Sequence, residues 1–250
     1  MIPNHTEQTN LLRKVKDAMA YEISGKYESA LITLEEALMI DKNYFDAWLL
    51  KGVIYSKLGK CKEAIECYDR IIEMGSQTPD VWRLKAALYA SMNQHEKAVD
   101  CFKKAANLEP QNLDNVLGLA TCLQKLRRYQ EAFGCYQEAK KANPNDPRID
   151  YHIGILWGNL GEYQKALIAL DNALQLKSDF SNALLAKGII LGKIGKKEEA
   201  KKIAEKLIEN KNKQAPITEK TNSAQSLNES IRAEFQAAQK RFNEKYSTPN

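Results

Sequence analysis

Five cysteines are the residues of this chain best suited to nucleophilic or metal chemistry, and their spacing decides whether they form a site. Cys67, Cys101 and Cys135 recur every 34 residues. Neighbouring packed helices lie about 8 to 10 Å apart, farther than a disulfide allows between its two Cα atoms. Cys61 and Cys67 are six residues apart and so do not share a helical face at a metal-ligand spacing. We predict reduced thiols that act as small buried apolar side chains.

The three histidines do not indicate catalysis either. His5, His95 and His152 have no serine, cysteine or carboxylate beside them at the spacing of a catalytic triad or a ligand set. The glycines fall at predicted turns and helix crossings, and no phosphate-binding glycine loop is present. We therefore predict a protein that is not an enzyme and that has no cofactor and no metal site.

A repeat of 34 residues must position any site, because it runs from residue 11 to residue 214 without an insertion or deletion. One column of the repeat contains only alanine: Ala30, Ala64, Ala98, Ala132, Ala166 and Ala200. A second column, twelve residues earlier, contains only alanine or glycine, and a large side chain follows it by three residues. Glycine predominates in a third column, where we expect a turn: Gly25, Gly59, Asn93, Arg127, Gly161 and Gly195.

These columns predict six repeats, each made of two antiparallel helices. Apolar residues fall at helical spacing on both sides of the turn, and hydrophobic residues make up 44% of the chain and charged residues 28%, as is typical of a globular protein. Pro79 and Pro147 open repeats at a first-turn position, where no backbone donor is lost. After a flexible N-terminus at residues 1–10, the predicted repeats are residues 11–44, 45–78, 79–112, 113–146, 147–180 and 181–214.

The period and the residue types resemble the tetratricopeptide repeat, whose pattern places Trp, Leu, Gly, Tyr, Ala, Phe and Pro in a fixed order. The third repeat matches this pattern with Trp82, Ala86, Tyr89, Ala98, Phe102 and Pro110. Departures such as Lys14 and Ala204 lie in the first and last repeats, which face water on one side. The resemblance implies an all-α, right-handed superhelical solenoid whose first helices line a concave groove.

The resemblance also implies which residues line that groove, because the fifth and ninth positions of each repeat do so in this family. A mostly apolar groove of this kind would bind a partner peptide or an amphipathic helix. At each position the alternative is ordinary packing between helices. Gly158 and Gly192 predict the most open floor in the last two repeats. The implied groove residues are Val15, Met19, Leu49, Val53, Arg83, Ala87, Leu117, Thr121, Tyr151, Ile155, Leu185 and Ile189.

Two more specialised partners are disfavoured. Repeats that dock the C-terminal carboxylate of chaperones need lysine and asparagine where this chain has pairs such as Val15 and Met19. The net charge of +5 keeps RNA binding as an alternative, but the lysines near residue 200 are interspersed with glutamates, as on a solvated helix face. The predicted function is therefore a protein-interaction scaffold.

The C-terminal segment lies beyond the repeats. Residues 215–227 read as a polar linker, residues 228–246 as an amphipathic helix and residues 247–250 as a tail. This helix would cap the last repeat over Ile203, Leu207 and Ile208, or else occupy the groove or join a second copy of the chain in a homo-oligomer. Its predicted contact face comprises Ile231, Phe235, Ala238, Phe242 and Tyr246.

Three observations favour a cytoplasmic location. No run of eighteen apolar residues is present, so no helix is predicted to span a membrane. Residues 1–10 lack the apolar core of a signal peptide. An odd number of cysteines also favours a reducing compartment.

Overall fold

The computed structural model describes residues 5–214, with side chains described for residues 6–210. Within this range the chain forms twelve α-helices and no β-strand, which confirms the predicted all-α class of tandem helical repeats. The linker, amphipathic helix and tail predicted for residues 215–250 lie outside the described residues. The helices are α1 (His5–Ile23), α2 (Tyr27–Ile40), α3 (Phe45–Lys57), α4 (Cys61–Glu73), α5 (Pro79–Ser91), α6 (His95–Leu108), α7 (Leu113–Lys125), α8 (Tyr129–Ala142), α9 (Pro147–Asn159), α10 (Tyr163–Leu176), α11 (Ser181–Lys193) and α12 (Lys197–Gln214).

Odd-numbered helices are the first helices of the repeats, and even-numbered helices are the second. The first helices α3, α5, α7, α9 and α11 begin at the residues where the sequence placed the starts of repeats two to six. The first helix differs, because α1 begins at His5 and so includes residues 5–10, for which we expected a flexible segment. Glu7 in its first turn favours the helix by interacting with the helix dipole, and Leu11 anchors it in the core.

The turn that ends each first helix is left-handed in all six repeats. The third column of the repeat has positive φ throughout, from 60° at Asn93 to 82° at Gly195. Glycine adopts this conformation without a steric penalty. Arg127 also adopts it, with φ of 61°, but at a steric cost. The turn column read from the sequence is therefore a backbone requirement.

Small residues occur where the two helices of a hairpin approach each other. A Cβ atom added to Gly52 would lie 2.6 Å from the ring of Tyr68, and one added to Gly154 would lie 2.7 Å from Leu170 Cγ. Ala86 occupies the same column and is completely buried. These contacts explain why that column admits only glycine and alanine.

The structure divides into two compact halves. Within the described residues, the N-terminal half comprises residues 5–128 and the C-terminal half residues 129–214. In the N-terminal half, buried side chains form a core cluster around Leu34 and another around Tyr68. In the C-terminal half the core forms around Leu170 and Ile190, with Ile155 and Trp157 packed against it.

Candidate functional site

In the C-terminal half, four of the residues predicted for the groove line one cavity, although one of them, Ile189, is buried. We call the side formed by its first helices α9 and α11 the first-helix face, and the side formed by α8, α10 and α12 the second-helix face. The α9 helix starts where the Asp146 side chain accepts a hydrogen bond of 2.9 Å from the Arg148 backbone N–H, with Pro147 in the first turn. The close approach of Gly154 to Leu170 then holds α9 against α10.

A cavity of about 130 Å³ lies on the first-helix face between α9 and α11. Gly158 contributes to its floor, because a Cβ atom there would be 3.3 Å from Ile190 Cδ1. Asn182 adds an exposed polar side chain to a lining that is otherwise mostly apolar. The structure therefore brings together four predicted groove residues: Tyr151, Ile155, Leu185 and Ile189.

Aromatic side chains hold one wall of this cavity in place. The Tyr151 ring lies 5.3 Å from the Phe180 ring and 5.1 Å from the His152 ring, measured between centroids. His152 in turn stacks on Tyr136 at 5.8 Å. Aromatic pairs in such geometries each contribute about 0.5 to 1.5 kcal/mol beyond the area that they bury. These contacts therefore stabilise the packing of Tyr151 at the cavity.

Burial changes the protonation of this aromatic group. It raises the pKa of the Tyr151 hydroxyl, because the phenolate would lose its hydration. It also lowers the pKa of His152 to about 4, and the positive charge of Arg148 acts in the same direction. His152 is therefore neutral at pH 7, so that the ring packed against Tyr151 brings no charge close to the cavity.

The predicted groove residues of the N-terminal half lie in more varied surroundings. Val15 belongs to the core cluster around Leu34, and Leu117 is 6% exposed, so both pack between helices and offer little surface to a partner. Leu49 and Val53 are half-buried, whereas Met19 and Ala87 are exposed.

Two further predicted positions in this half are polar. Arg83 is half-buried and forms an ion pair with Asp80 at 2.6 Å. The Thr121 hydroxyl donates a hydrogen bond of 2.7 Å to the carbonyl oxygen of Leu117, within its own helix. The predicted groove positions of the N-terminal half are thus less uniformly apolar than those of the C-terminal half.

Sequence reasoning missed a recurrent ion pair between each of several first helices and the second helix that precedes it. Lys51 pairs with Glu35, Lys85 with Asp69, and Lys187 with Asp171, in each case sixteen residues earlier. We call these three pairs the lysine ladder. A partial signal was available in the sequence, because the three lysines share one column of the repeat with Leu119 and Ile153, and the three acids share another with Lys103 and Gln137.

The thiols have surroundings that disfavour chemistry. Burial raises the pKa of Cys67 to about 12 and that of Cys122 to about 11, and it also raises the pKa of Cys101. These three thiols are protonated at neutral pH and are weak nucleophiles. In the described part of the chain, no three histidine, cysteine or carboxylate side chains are grouped as metal ligands would be. Among the described helices, none is both long enough and apolar enough to cross a membrane.

Comparisons with known families agree with these features. Models of the tetratricopeptide repeat match residues 23–88, 117–181 and 181–214. A model of subunit 3 of the anaphase-promoting complex, or cyclosome, matches residues 61–139. No curated protein matches the chain by sequence.

Solved structures show the same fold at low sequence identity. PilW, described as a widely conserved type IV pilus biogenesis factor, has a TM-score of 0.68 and 18% identity, over 90% of this chain and 99% of its own. PilF of Pseudomonas aeruginosa has a TM-score of 0.64 and 19% identity, over 81% of this chain and 92% of its own. YrrB, described as a repeat protein with an unusual peptide-binding site, has a TM-score of 0.60 and 21% identity, over 70% of this chain and 90% of its own.

The helical hairpins, their left-handed turns and these likenesses define a tandem helical-repeat fold. The chain belongs to the tetratricopeptide-repeat family.

Proposed function

We propose that this protein is a non-enzymatic scaffold that binds a partner peptide or amphipathic helix on the first-helix face of its C-terminal half. The observation that supports this most strongly is the cavity between α9 and α11, lined by Tyr151, Ile155, Leu185 and Ile189. These residues occupy the positions that line the groove in this family. The description of YrrB as peptide-binding is a precedent for such a function on this fold.

The size and lining of the cavity suit one apolar anchor of a partner. An apolar cavity of about 150 Å³ accommodates a benzene ring, and this cavity measures about 130 Å³. A leucine or phenylalanine side chain of the partner would therefore fill it. Asn182 and the Tyr151 hydroxyl lie at the same cavity and can hydrogen-bond to the backbone that carries the anchor.

Leu185 is the best position for a test, because it lines the cavity but is only half-buried. We expect Leu185→Glu to abolish retention of the partner in affinity capture from a native, nuclease-treated lysate, since it places a charge against an apolar anchor. Leu176→Glu is the matched control, because Leu176 is exposed on α10 and does not line the cavity.

Circular dichroism must show unchanged helix content in both variants. A partner retained equally by the unmodified chain, Leu185→Glu and Leu176→Glu would contradict the proposal. Leu117 does not serve this purpose, because a charge at such a buried position would reduce stability whether or not a partner binds there.

A further inference from the structure

The lysine ladder is interrupted in the C-terminal half. On α11, Lys187 pairs with Asp171 of α10. One repeat earlier, the same two columns contain Ile153 on α9 and Gln137 on α8, which cannot form an ion pair. An apolar side chain and a neutral amide thus replace the charged pair that occupies this place at the next hairpin.

A second cavity, of about 460 Å³, lies where the ion pair is missing. It opens on the second-helix face between α8 and α10, and α9 forms its floor. Ile153, Trp157 and Phe133 supply apolar lining. Ile168 also lines the cavity and is 63% exposed, although four of the other five repeats have a polar residue or glycine in its column, namely Glu66, Asp100, Gly134 and Lys202.

Lysines form the rim of this cavity. Lys140 is engaged with the buried Asp150, whose Oδ2 lies 2.6 Å from the lysine Nζ. Lys165 lies above the Trp157 ring, with its Nζ 4.7 Å from the ring centroid, and it also forms an exposed ion pair with Glu162 at 3.4 Å. Lys141 is exposed, and its ammonium group forms no ion pair or hydrogen bond with the part of the chain that the structure describes. The lining therefore contains three lysines and one carboxylate, and the unpaired ammonium of Lys141 favours negative charge in a ligand.

From this geometry we propose that the second-helix cavity binds an acidic amphipathic segment of a partner protein. Apolar side chains of that segment would contact Ile153 and Ile168, and its carboxylates would pair with Lys141 and Lys165 at the rim. A single-stranded nucleic acid fits less well, because it would need an open ring face for base stacking. The ring centroids of Phe133 and Trp157 lie 5.3 Å apart in an edge-to-face contact, and the Trp157 ring is also covered by a lysine.

This site is separate from the one in the proposed function. The two cavities use different residues of α9: Tyr151, Ile155 and Gly158 line the first, whereas Ile153 and Trp157 line the second. At about 100° per residue these two sets point to different sides of the helix. The C-terminal half can therefore hold two segments at once, one on each face.

The test begins with a displayed library of random peptides selected on the full chain. Counter-selection uses the double variant Gln137→Asp with Ile153→Lys, which recreates the pair formed by Lys187 and Asp171. We expect the enriched peptides to combine aliphatic or aromatic residues with several carboxylates. Failure to enrich such peptides, or enrichment of basic or uncharged ones, would overturn the proposal.

An enriched peptide is then synthesised with a fluorescent label, and its Kd for variants of the rim lysines is measured. Lys141→Glu and Lys165→Glu should each raise its Kd at least about tenfold, and affinity should fall as salt is added. Lys201→Glu, an exposed lysine of α12 outside the cavity, is the matched charge reversal and should leave the Kd unchanged.

Leu185→Glu should also leave the Kd of this peptide unchanged, because Leu185 lines the other cavity. A Kd that responds to Leu185→Glu and not to the two rim variants would place the peptide on the first-helix face and overturn this proposal alone. A labelled single-stranded RNA should not compete with the peptide at low salt; effective competition would favour nucleic acid as the ligand and contradict the proposal.

Discussion

The two sides of α9 show how one repeat architecture provides surfaces of different chemistry. On the first-helix face the cavity is small and mostly apolar, and the uncharged ring of His152 packs against its lining residue Tyr151. On the second-helix face the cavity is larger and lined by lysines around an apolar floor. The same helix, α9, contributes to both cavities, with different side chains on its two sides.

Two equivalent places in the C-terminal half, where a second helix meets the first helix of the next repeat, show the same dependence on side chains. At α10 and α11 the lysine ladder continues, with Asp171 paired to Lys187. At α8 and α9 it is replaced by Gln137 and Ile153, and the cavity is found there. At this one place in the C-terminal half, two residue substitutions within the repeat thus exchange a charged pair for part of the lining of a cavity.

The largest expected effect on stability comes from the close approach of Gly154 to Leu170, which holds α9 against α10. Gly154→Ala should reduce the free energy of unfolding by about 1 to 3 kcal/mol, because the new Cβ would lie 2.7 Å from Leu170 Cγ. Gly134→Ala on α8 is the matched control, since its Cβ would have no neighbour within 4 Å. That variant should gain about 0.5 to 1 kcal/mol from helix propensity. Urea unfolding of both variants checks this; a stabilised Gly154→Ala would show that the crossing is not tight.

The next effect is a dependence of stability on pH that His152, packed against Tyr151, should cause. The neutral His152 has a folded pKa of about 4, below its unfolded value of about 6.5. Between these two pH values the unfolded chain binds more protons, so stability falls as the pH decreases through this window and is fully present above it. The loss should reach up to about 3 kcal/mol.

His152→Phe keeps an aromatic ring on Tyr136 but cannot be protonated, so its unfolding free energy should vary less with pH. Urea unfolding at pH 7 and pH 4.5 measures the difference. Equal pH dependence in the variant and the unmodified chain would show that His152 is not the responsible group.

The smallest effect concerns the lysine ladder itself. Lys187→Met should reduce stability by no more than about 1 kcal/mol, because Asp171 is half exposed to water and such pairs contribute little. A double-mutant cycle with Asp171→Asn isolates the pairwise contribution. A coupling well above this value would mean that the ladder stabilises the fold, and that its interruption at Ile153 reduces local stability as well as opening a site.

The repeated features of the fold could be predicted from the sequence because they follow from local backbone and packing demands. The turn column requires positive φ, and the column at the helix crossing requires a small side chain, so both are visible as residue types at a fixed period. The start of α1 could not be predicted in this way, because residues 5–10 precede the first repeat and belong to none of its columns.

The site was predicted less completely, because exposure depends on the neighbouring helix as well as on the position within the repeat. Val15 and Leu185 occupy the same position, yet Val15 is buried in a core cluster and Leu185 lines a cavity. The lysine ladder was missed for a related reason: its two columns belong to different helices, and their pairing follows only from how those helices pack.

The most direct test of the central claim, that a partner contacts the first-helix face of the C-terminal half, is site-specific photo-cross-linking in a native lysate. A photoreactive amino acid replaces Leu185 in one version of the full chain and Leu176 in another. We predict a discrete protein adduct from position 185, formed at the cavity between α9 and α11, and no such adduct from position 176. The absence of an adduct at position 185, or the same adduct from both positions, would contradict the claim.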